Sequence, residues 1–323
     1  MPDRISLAFP GQGSQYVGMG KTFHQTYPEA RRIFDEAADL LGFDLAAILF
    51  EGEAETVDST RVCQPGILVT SVAILEVVRE RGLLDDVVLG PTLGLSLGEY
   101  TALVFAGALQ FADAVELVAK RGAYMQECSD RHPSGMLSLM GSDLETAERL
   151  CAAARPSGVI GVANLNSPGQ VVVSGARAAL EEARSRASEF GIRRAIPLKV
   201  AGAFHSELMD EAATRLRQDL AKIKISTPEV PVVSNVTARP TTDAEEIRRN
   251  LAEQVKAPVL FQKGVEACLT LGTTLFLEPG PRNVLCGLVG KIAPGTPAVS
   301  IDSPADLEAF AATTTGKGAT GKA

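Results

Sequence analysis

The feature that most constrains the fold is the pentapeptide Gly94-Leu95-Ser96-Leu97-Gly98, which matches the G-x-S-x-G pattern. This pattern predicts a tight turn from a β-strand into an α-helix, in which glycine is needed on both sides because larger side chains would clash. The turn would present Ser96 as a nucleophile and aim the free N–H groups of the following helix at a developing oxyanion. The pentapeptide alone is also compatible with a glycine-rich turn that carries no catalysis.

Strand-like and helix-like segments alternate around this turn, which predicts an α/β domain with a parallel sheet. The apolar runs that predict strands of this sheet lie at 5–9, 87–89, 92–94, 230–233 and 274–277. The segments with helical spacing lie at 29–41, 64–79, 99–105, 112–125 and 211–221.

The middle of the chain follows a different order, βαββαβ, which is that of a ferredoxin-like split βαβ unit. Its elements are predicted at 136–140, 144–154, 159–164, 170–174, 176–190 and 194–200, with a turn at 166–169. We therefore expect an α/β-hydrolase-like large domain formed by residues 1–127 and 202–312, with a ferredoxin-like small subdomain inserted at 128–201. The tail, 313–323, contains almost only Gly, Thr, Lys and Ala, so we expect it to be disordered.

Composition excludes several classes of function. Acidic residues outnumber basic ones by 39 to 31, so the chain lacks the basic field of a nonspecific nucleic-acid binder. The five cysteines form no C-x-x-C pair and no H-E-x-x-H occurs, so no disulfide framework and no metal site are predicted. Glu99 and Glu278 interrupt the longest uncharged stretches, so we expect no membrane helix of roughly 20 apolar residues. With no targeting segment predicted, the expected location is the cytoplasm.

A serine nucleophile requires a base, and the chain has three histidines. His205 stands at the exit of the small subdomain, where the chain returns to the main sheet and where clefts form. We predict that His205 is the base. His24, near a helix start, and His132, before Pro133, are predicted to be ordinary residues.

The segment Phe9-Pro10-Gly11-Gln12-Gly13-Ser14-Gln15 ends the first predicted strand. It is not a dinucleotide fingerprint, because Tyr16 occupies the last glycine position, and Gln15 stands where a phosphate loop ending at Gly20-Lys21-Thr22 needs its first glycine. The remaining interpretation is a strand end whose glycines let the backbone approach the site. The N–H groups of Gln12 and Leu97 could then hold an oxyanion, while a plain glycine turn remains the alternative.

Together these motifs closely resemble those of the malonyl-CoA:acyl-carrier-protein transacylases of fatty-acid synthesis and the related acyltransferases of polyketide synthases. The resemblance extends from Phe9 to about Leu288. The segments that carry it are Phe9 to Gln15, Gln64-Pro65, Ser96 to Tyr100, Arg121-Gly122 with Met125-Gln126, Asn164 to Gln170, Gly202 to Ser206 and Glu278 to Pro281. One departure is Leu95, where bacterial members often have histidine.

The resemblance implies a complete set of site residues. It makes Ser96 the nucleophile and His205 the base, which the main-chain carbonyl of Gln254 orients in place of an acidic side chain. The remaining implied residues are Gln12 and Leu97 as oxyanion donors, Arg121 as the anchor of the malonyl carboxylate, Gln64 and Asn166 as pocket residues, and Phe204 as a bulky residue that disfavours an α-methyl branch. Judged from the residue alone, an arginine in a helix is usually exposed to solvent, although a buried arginine offers a planar fork for a carboxylate.

The resemblance also implies the reaction and the partners. The enzyme would transfer malonyl from malonyl-CoA to the phosphopantetheine thiol of acyl-carrier protein, through a malonyl-serine intermediate and without a cofactor, as a monomer. Basic residues suited to an acidic carrier are Arg193, Arg194, Arg282 and Lys291. The alternatives are a stand-alone polyketide-synthase acyltransferase, an esterase or acyl hydrolase on the same scaffold, and a carrier-binding module without catalysis.

Overall fold

The computed structural model describes residues 4–318. Its strands are β1 (Arg4–Phe9), β2 (Val88–Leu89), β3 (Leu93–Gly94), β4 (Ser134–Met140), β5 (Ile160–Ser167), β6 (Gln170–Ala176), β7 (Arg194–Pro197), β8 (Val232–Val233), β9 (Pro240–Thr241), β10 (Leu275–Pro279) and β11 (Ala298–Ile301). Its α-helices are α1 (Lys21–Thr26), α2 (Pro28–Leu41), α3 (Leu45–Glu51), α4 (Ala54–Asp58), α5 (Thr60–Glu80), α6 (Gly98–Phe105), α7 (Phe111–Arg131), α8 (Leu144–Ala154), α9 (Arg177–Arg186), α10 (Asp210–Leu220), α11 (Ala244–Gln254), α12 (Phe261–Thr270), α13 (Val284–Ile292) and α14 (Pro304–Gly318).

A parallel sheet forms the centre of the larger part of the molecule. Strand β1 pairs with β10 on one side and with both β2 and β3 on the other, and β11 pairs with the far side of β10. Every one of these pairs is parallel, and helices surround the sheet. The predicted α/β class with a parallel sheet is confirmed. Because the carboxyl ends of β1 and β3 lie side by side, the segments that follow them meet at one edge of the sheet.

Helix α5 is the apolar centre of the main core. By length and composition alone it is the one helix within residues 4–318 that could cross a membrane. However, 83% of the window that passes this test is buried inside the protein, as in the core helix of a globular domain. The sequence did not lead us to expect a helix of this length and composition, but its burial is that of a core helix rather than of a clear membrane span. Thr70 and Ser71 do not interrupt the helix, because both are packed in the core.

A second sheet contains four strands in the order β5-β6-β4-β7, and all neighbouring pairs are antiparallel. Helices α8 and α9 cover one face, where Leu139, Leu150 and Val173 share a separate apolar cluster. On the other face, Ala163 and Val172 belong to the main core. The small sheet is thereby packed on the larger part rather than attached by a linker.

The C-terminal helix α14 extends to Gly318 and so includes residues 313–318, where the sequence predicts disorder. Its start is capped, because Asp306 Oδ2 accepts hydrogen bonds from the N–H and the hydroxyl of Ser303 at 2.8 and 2.7 Å. Leu307 and Phe310 are buried in the main core. The cap and the buried residues stabilise the unfavourable first turn of the helix. Each further residue then adds one hydrogen bond at a smaller cost in conformational entropy. The remainder of the predicted tail, 319–323, lies outside the described residues.

Candidate active site

The predicted tight turn between β3 and α6 is present. Ser96 has φ 53°, in the left-handed region that non-glycine residues rarely occupy. A Cβ atom on Gly94 would lie 2.0 Å from the Gly98 carbonyl carbon, and one on Gly98 would lie 2.0 Å from Phe9 O. Both glycines are therefore required by close backbone approach, and the predicted reason for them is confirmed.

The turn brings Ser96 to His205, 109 positions away in the chain. Ser96 Oγ lies 2.9 Å from His205 Nε2. On the other side of the ring, Nδ1 lies 2.8 Å from the main-chain carbonyl of Gln254, and a carbonyl can only accept a hydrogen bond. Nδ1 therefore carries the proton, and Nε2 is free to accept the proton of Ser96.

The environment keeps the imidazole neutral. His205 is 5% exposed. Burial lowers its pKa from 6.5 to about 4, and the nearby charge of Arg121 acts in the same direction. A neutral imidazole at pH 7 is the form required of a general base.

Arg121 is fully buried beside the nucleophile. Its Nη1 donates to Gln64 Oε1 at 2.7 Å, and its Nη2 donates to Ser96 Oγ at 3.0 Å and to Gln254 Oε1 at 3.1 Å. Its Nε has no hydrogen-bond partner, and no carboxylate forms an ion pair with it within residues 4–318. The guanidinium thus has a free donor, and Glu99, the carboxyl that interacts with it electrostatically, makes no direct ion pair with it, which leaves room for a planar carboxylate.

The position of Arg121 depends on its neighbour Gly122. A Cβ atom on Gly122 would lie 2.6 Å from Thr60 O, so α7 and α5 approach closely at this point. The close approach places Arg121 on α7 against Gln64 on α5.

Two backbone N–H groups flank the nucleophile without partners. Neither Gln12 nor Leu97 donates a backbone hydrogen bond to any residue that the structure describes. The segment that carries Gln12 lies against the turn, because Leu95 N–H donates to Phe9 O at 3.0 Å and a Cβ on Gly11 would lie 2.2 Å from Leu95 O. Both groups therefore remain available at the edge of the sheet where Ser96 lies.

The model of one protein family, the acyl transferase domain, matches residues 7–290 and so spans this entire hydrogen-bonded group. The chain belongs to the acyl transferase family. A curated relative, the malonyl CoA-acyl carrier protein transacylase of Bacillus subtilis, is 42% identical over 306 residues, which cover 94% of this chain and 95% of the relative. That of Escherichia coli K12 is 39% identical over 306 residues, with coverage of 95% and 98%. The resemblance drawn from the motifs is confirmed.

Solved structures match this acyl transferase over nearly its whole length. The malonyl CoA-acyl carrier protein transacylase of Clostridium perfringens is 35% identical, with a TM-score of 0.92 and 98% of each chain covered. A malonyl-transacylase solved in complex with its type II PKS acyl-carrier protein is 36% identical, with a TM-score of 0.92, 96% of this chain covered and 100% of the other.

Two other predicted site residues stand apart from the hydrogen-bonded group of the acyl transferase. Asn166 lies in β5, and its Oδ1 is buried without a partner among the described residues. Phe204 directly precedes His205 and is packed in the main core. No hydrogen bond within residues 4–318 joins Asn166 to Ser96. Of the other histidines, His24 packs against the ring of Phe34, and His132 is exposed.

Sequence reasoning missed two residues of the acyl transferase site, Glu99 and Asn235. Glu99 Oε2 accepts from Gln254 Nε2 at 2.6 Å and from Asn235 N–H at 3.1 Å. Burial raises the pKa of Glu99 to about 7. One signal was available for Glu99, a charged residue that directly follows the nucleophile motif in an apolar helix. For Asn235 the sequence offers only its place after a predicted strand. No group of three or more His, Cys, Asp or Glu in the described part of the chain could hold a metal.

Proposed function

We propose that this acyl transferase moves the malonyl group from malonyl-CoA to the phosphopantetheine thiol of acyl-carrier protein through a malonyl-serine intermediate. The observation that carries the proposal is the hydroxyl of Ser96, which bonds both to a neutral imidazole and to a buried guanidinium that makes no direct ion pair with a carboxylate among residues 4–318. The names of the relatives support the acyl group and the acceptor, as does the neighbour solved with its carrier.

In the first half-reaction, His205 Nε2 takes the proton of Ser96 as Oγ attacks the thioester carbonyl carbon. The N–H groups of Gln12 and Leu97 hold the oxyanion, and losing one such donor typically costs about 10²–10³ in rate. The C–S bond then breaks, and the departing CoA sulfur recovers the proton from His205. The product is the malonyl ester of Ser96.

The second half-reaction reverses these roles. His205 takes the proton of the carrier's pantetheine thiol as its sulfur attacks the ester carbonyl carbon. The C–O bond to Ser96 breaks, and Oγ recovers the proton. Water must be kept from the ester, because attack by water would release free malonate.

Arg121 anchors the carboxylate of the malonyl group. Its free Nε and a terminal nitrogen can form a bidentate pair with a carboxylate, and Gln64 and Gln254 hold the guanidinium in place. An uncharged acyl group would leave the buried cation unpaired, which disfavours it. Phe204 and Asn166 complete the pocket in this proposal, with Phe204 crowding an α-methyl branch.

The simplest test follows the mass of the intact protein. Malonyl-CoA should add one malonyl group, and holo-carrier protein should then remove it. Stable CoA-dependent acylation followed by transfer supports the proposal. Rapid loss of the group to water without a carrier would instead identify an acyl hydrolase.

The acid limb in the pH profile of kcat/KM should lie near pH 4 rather than near 6.5, the ordinary pKa of histidine. The base must be neutral, so the loss of kcat/KM that His205 causes should occur as pH drops through its lowered pKa, about 4. The measurement is kcat/KM for malonyl-CoA against pH. The variant His132→Gln, at an exposed histidine, is the control and should leave the limb unchanged. A limb near 6.5 that persists in Glu99→Gln, which lacks the buried carboxyl whose pKa is about 7, would contradict the neutral, buried base.

The finer architecture also belongs to this proposal. We assign an α/β-hydrolase-like large domain to residues 1–127 and 202–312 and a ferredoxin-like subdomain to 128–201. The strand order β5-β6-β4-β7 and the βαββαβ sequence of elements support the second assignment. The enzyme is proposed to act in the cytoplasm as a monomer, without a cofactor, a membrane or nucleic acid.

The carrier is proposed to dock on basic side chains near the β5–β6 hairpin. Lys291 Nζ bonds to Gln170 Oε1 at 3.3 Å at the start of β6. Arg193 lies against Gly141, whose N–H donates to Gly169 O in the same hairpin. Arg194 follows Arg193 on the exposed surface, and Arg282 is exposed beside the ring of Tyr16, 5.5 Å away.

Reversing one of these charges, as in Lys291→Glu, should raise the KM for carrier protein several-fold and leave acylation by malonyl-CoA unchanged. A charge at the edge of a docking surface mainly changes the rate at which an oppositely charged partner associates. The measurements are steady-state kinetics with varied carrier and the single-turnover rate of serine acylation. Lys224→Glu changes an equally exposed lysine in the loop after α10 and serves as control. Equal carrier KM values for the two variants would place docking elsewhere.

A further inference from the structure

Asn235 connects the two sides of the nucleophile turn. Its Oδ1 accepts a hydrogen bond from Ser96 N–H at 2.6 Å, and its Nδ2 donates to Gly94 O at 2.7 Å. The side chain therefore bonds the backbone on both sides of Leu95. Asn235 is only 5% exposed, so water competes little for these bonds.

Asn235 is itself held from two directions. Its N–H donates to Glu99 Oε2 at 3.1 Å, and its carbonyl accepts from Leu260 N–H at 2.9 Å. The same Glu99 oxygen accepts from Gln254 Nε2 at 2.6 Å. Gln254 Nε2 also donates to Ser96 O at 2.9 Å. One buried carboxylate thus links the residue that holds the turn to the residue whose carbonyl orients the histidine.

The turn needs such support because its conformation is unfavourable. Ser96 and His205 both have positive φ, 53° and 59°. Strained backbone persists only where the surrounding structure over-determines it. The hydrogen bonds from Asn235 act directly on the strained residue Ser96. No hydrogen bond among the described residues joins Asn235 directly to His205 or to Arg121, so its side chain acts directly on the backbone around the serine and reaches those two residues only through Glu99 and Gln254.

We propose that Asn235, held by Glu99, is a positioning residue that keeps Ser96 within reach of His205 for acyl transfer. The proposal rests on the function proposed above for Ser96. It predicts that the loss of the Asn235 side chain slows the chemical step while substrate binding through Arg121 and Gln64 is retained.

The first test is Asn235→Ala. Because a displacement of about 1 Å in a reacting group costs about 10²-fold in rate, kcat should fall by about 10²-fold. The KM for malonyl-CoA should stay within about threefold, because the bonds of Arg121 are not touched. Labelling of Ser96 by a fluorophosphonate reagent should slow in parallel with kcat. The matched control is Asn250→Ala on α11, whose amide nitrogen has no hydrogen-bond partner among residues 4–318.

The second test is Asn235→Asp. Its activity is compared at several pH values on the same folded protein, so a change with pH reports on the position of Ser96 rather than on a failure to fold. A protonated carboxyl can accept from Ser96 N–H and donate to Gly94 O, whereas an ionised one cannot donate and carries a charge beside Glu99. Burial and the neighbouring Glu99 raise the pKa of a carboxyl at this position above the ordinary value of about 3.9, so the activity of this variant relative to wild type should fall as pH rises through that raised pKa. The ratio cancels what both proteins share, the titration of His205 and the charge of Arg121. The introduced carboxyl and Glu99 titrate as a coupled pair, so the pH at which the ratio falls belongs to that pair.

The outcomes separate the two proposals. A large drop in kcat with KM retained, together with the pH-dependent ratio, supports the positioning role. If Asn235→Ala retains kcat within about threefold of wild type, or if Asn235→Asp keeps wild-type activity at every pH tested, the role is overturned while the function proposed for Ser96 stands. If Ser96→Ala still transfers malonyl, the serine intermediate fails, and if wild type does not transfer malonyl from malonyl-CoA to holo-carrier protein, the proposed function itself fails. Should Asn235→Ala not fold, the pH dependence of Asn235→Asp decides alone.

Discussion

Replacing Ser96 with alanine should reduce malonyl transfer by about 10⁴-fold or more, because the nucleophile and its base work as one unit. The base His205 cannot take over the role of the nucleophile. Alanine also removes the hydroxyl that bonds His205 and Arg121 without adding bulk. The measurement is the mass of the intact protein after mixing with malonyl-CoA. Wild type should gain one malonyl group, and Ser96→Ala should gain none.

The control for this experiment is Ser185→Ala, at an exposed serine whose hydroxyl bonds only the carbonyl of Glu182. It should be acylated and should transfer like wild type. Acylation of Ser96→Ala at wild-type rates would show that another group carries the acyl chain, and the mechanism proposed for Ser96 would be wrong.

Replacing Arg121 with alanine should lower malonyl transfer by about 10²–10³-fold, as expected when one partner of a buried charge pair worth about 3–4 kcal/mol is removed. Acetyl transfer should fall much less, because acetyl has no carboxylate. The decisive quantity is the ratio of kcat/KM for malonyl-CoA to that for acetyl-CoA. Arg121→Lys keeps the charge but loses the planar fork, so it should recover only part of the ratio.

Arg121 also donates a hydrogen bond to Ser96 and affects the pKa of His205, so the experiment needs two controls. Its charge helps to lower the pKa of His205, so Arg121→Ala should move the acid limb to higher pH. The ratio should therefore be measured at about pH 8, where His205 is neutral in every variant. Lys120→Ala, at the exposed neighbour of Arg121, should leave the ratio unchanged. An unchanged ratio in Arg121→Ala would contradict its role as the carboxylate anchor.

Local features were predictable because they depend on neighbours in the chain. The two glycines around Ser96 indicate the tight turn, and the structure shows the backbone contacts that require them. The helix predicted at 144–154 has the bounds of α8, since Asp143 caps its start through a bond to Thr146 N–H. Helix α11 was missed although Asp243 caps its start through bonds from two backbone N–H groups. Helix α13 has no side-chain cap from its own N-cap residue and contains two glycines, so it depends more on packing onto the rest of the protein.

The burial of Arg121 could not be derived from its own helix. An arginine between Lys120 and Gly122 is as compatible with a solvated face as with a pocket. Only the approach of α7 to α5 at Gly122 buries the guanidinium against Gln64. The resemblance to known acyltransferases supplied its role, and the structure supplies the geometry that such a role requires.

Hydrophobic periodicity and glycine spacing act over a few residues, so they were enough to predict the α/β class, the nucleophile turn and the segments that carry the site. Which groups meet in the site depends on how the folded chain brings those segments together. The main-chain carbonyl of Gln254 rather than an acidic side chain orients His205, and Asn235 and Glu99 hold the turn. Such contacts join residues 49 to 139 positions apart and use backbone atoms that every residue possesses. Their partners are therefore set by the path of the folded chain and leave no pattern in the sequence.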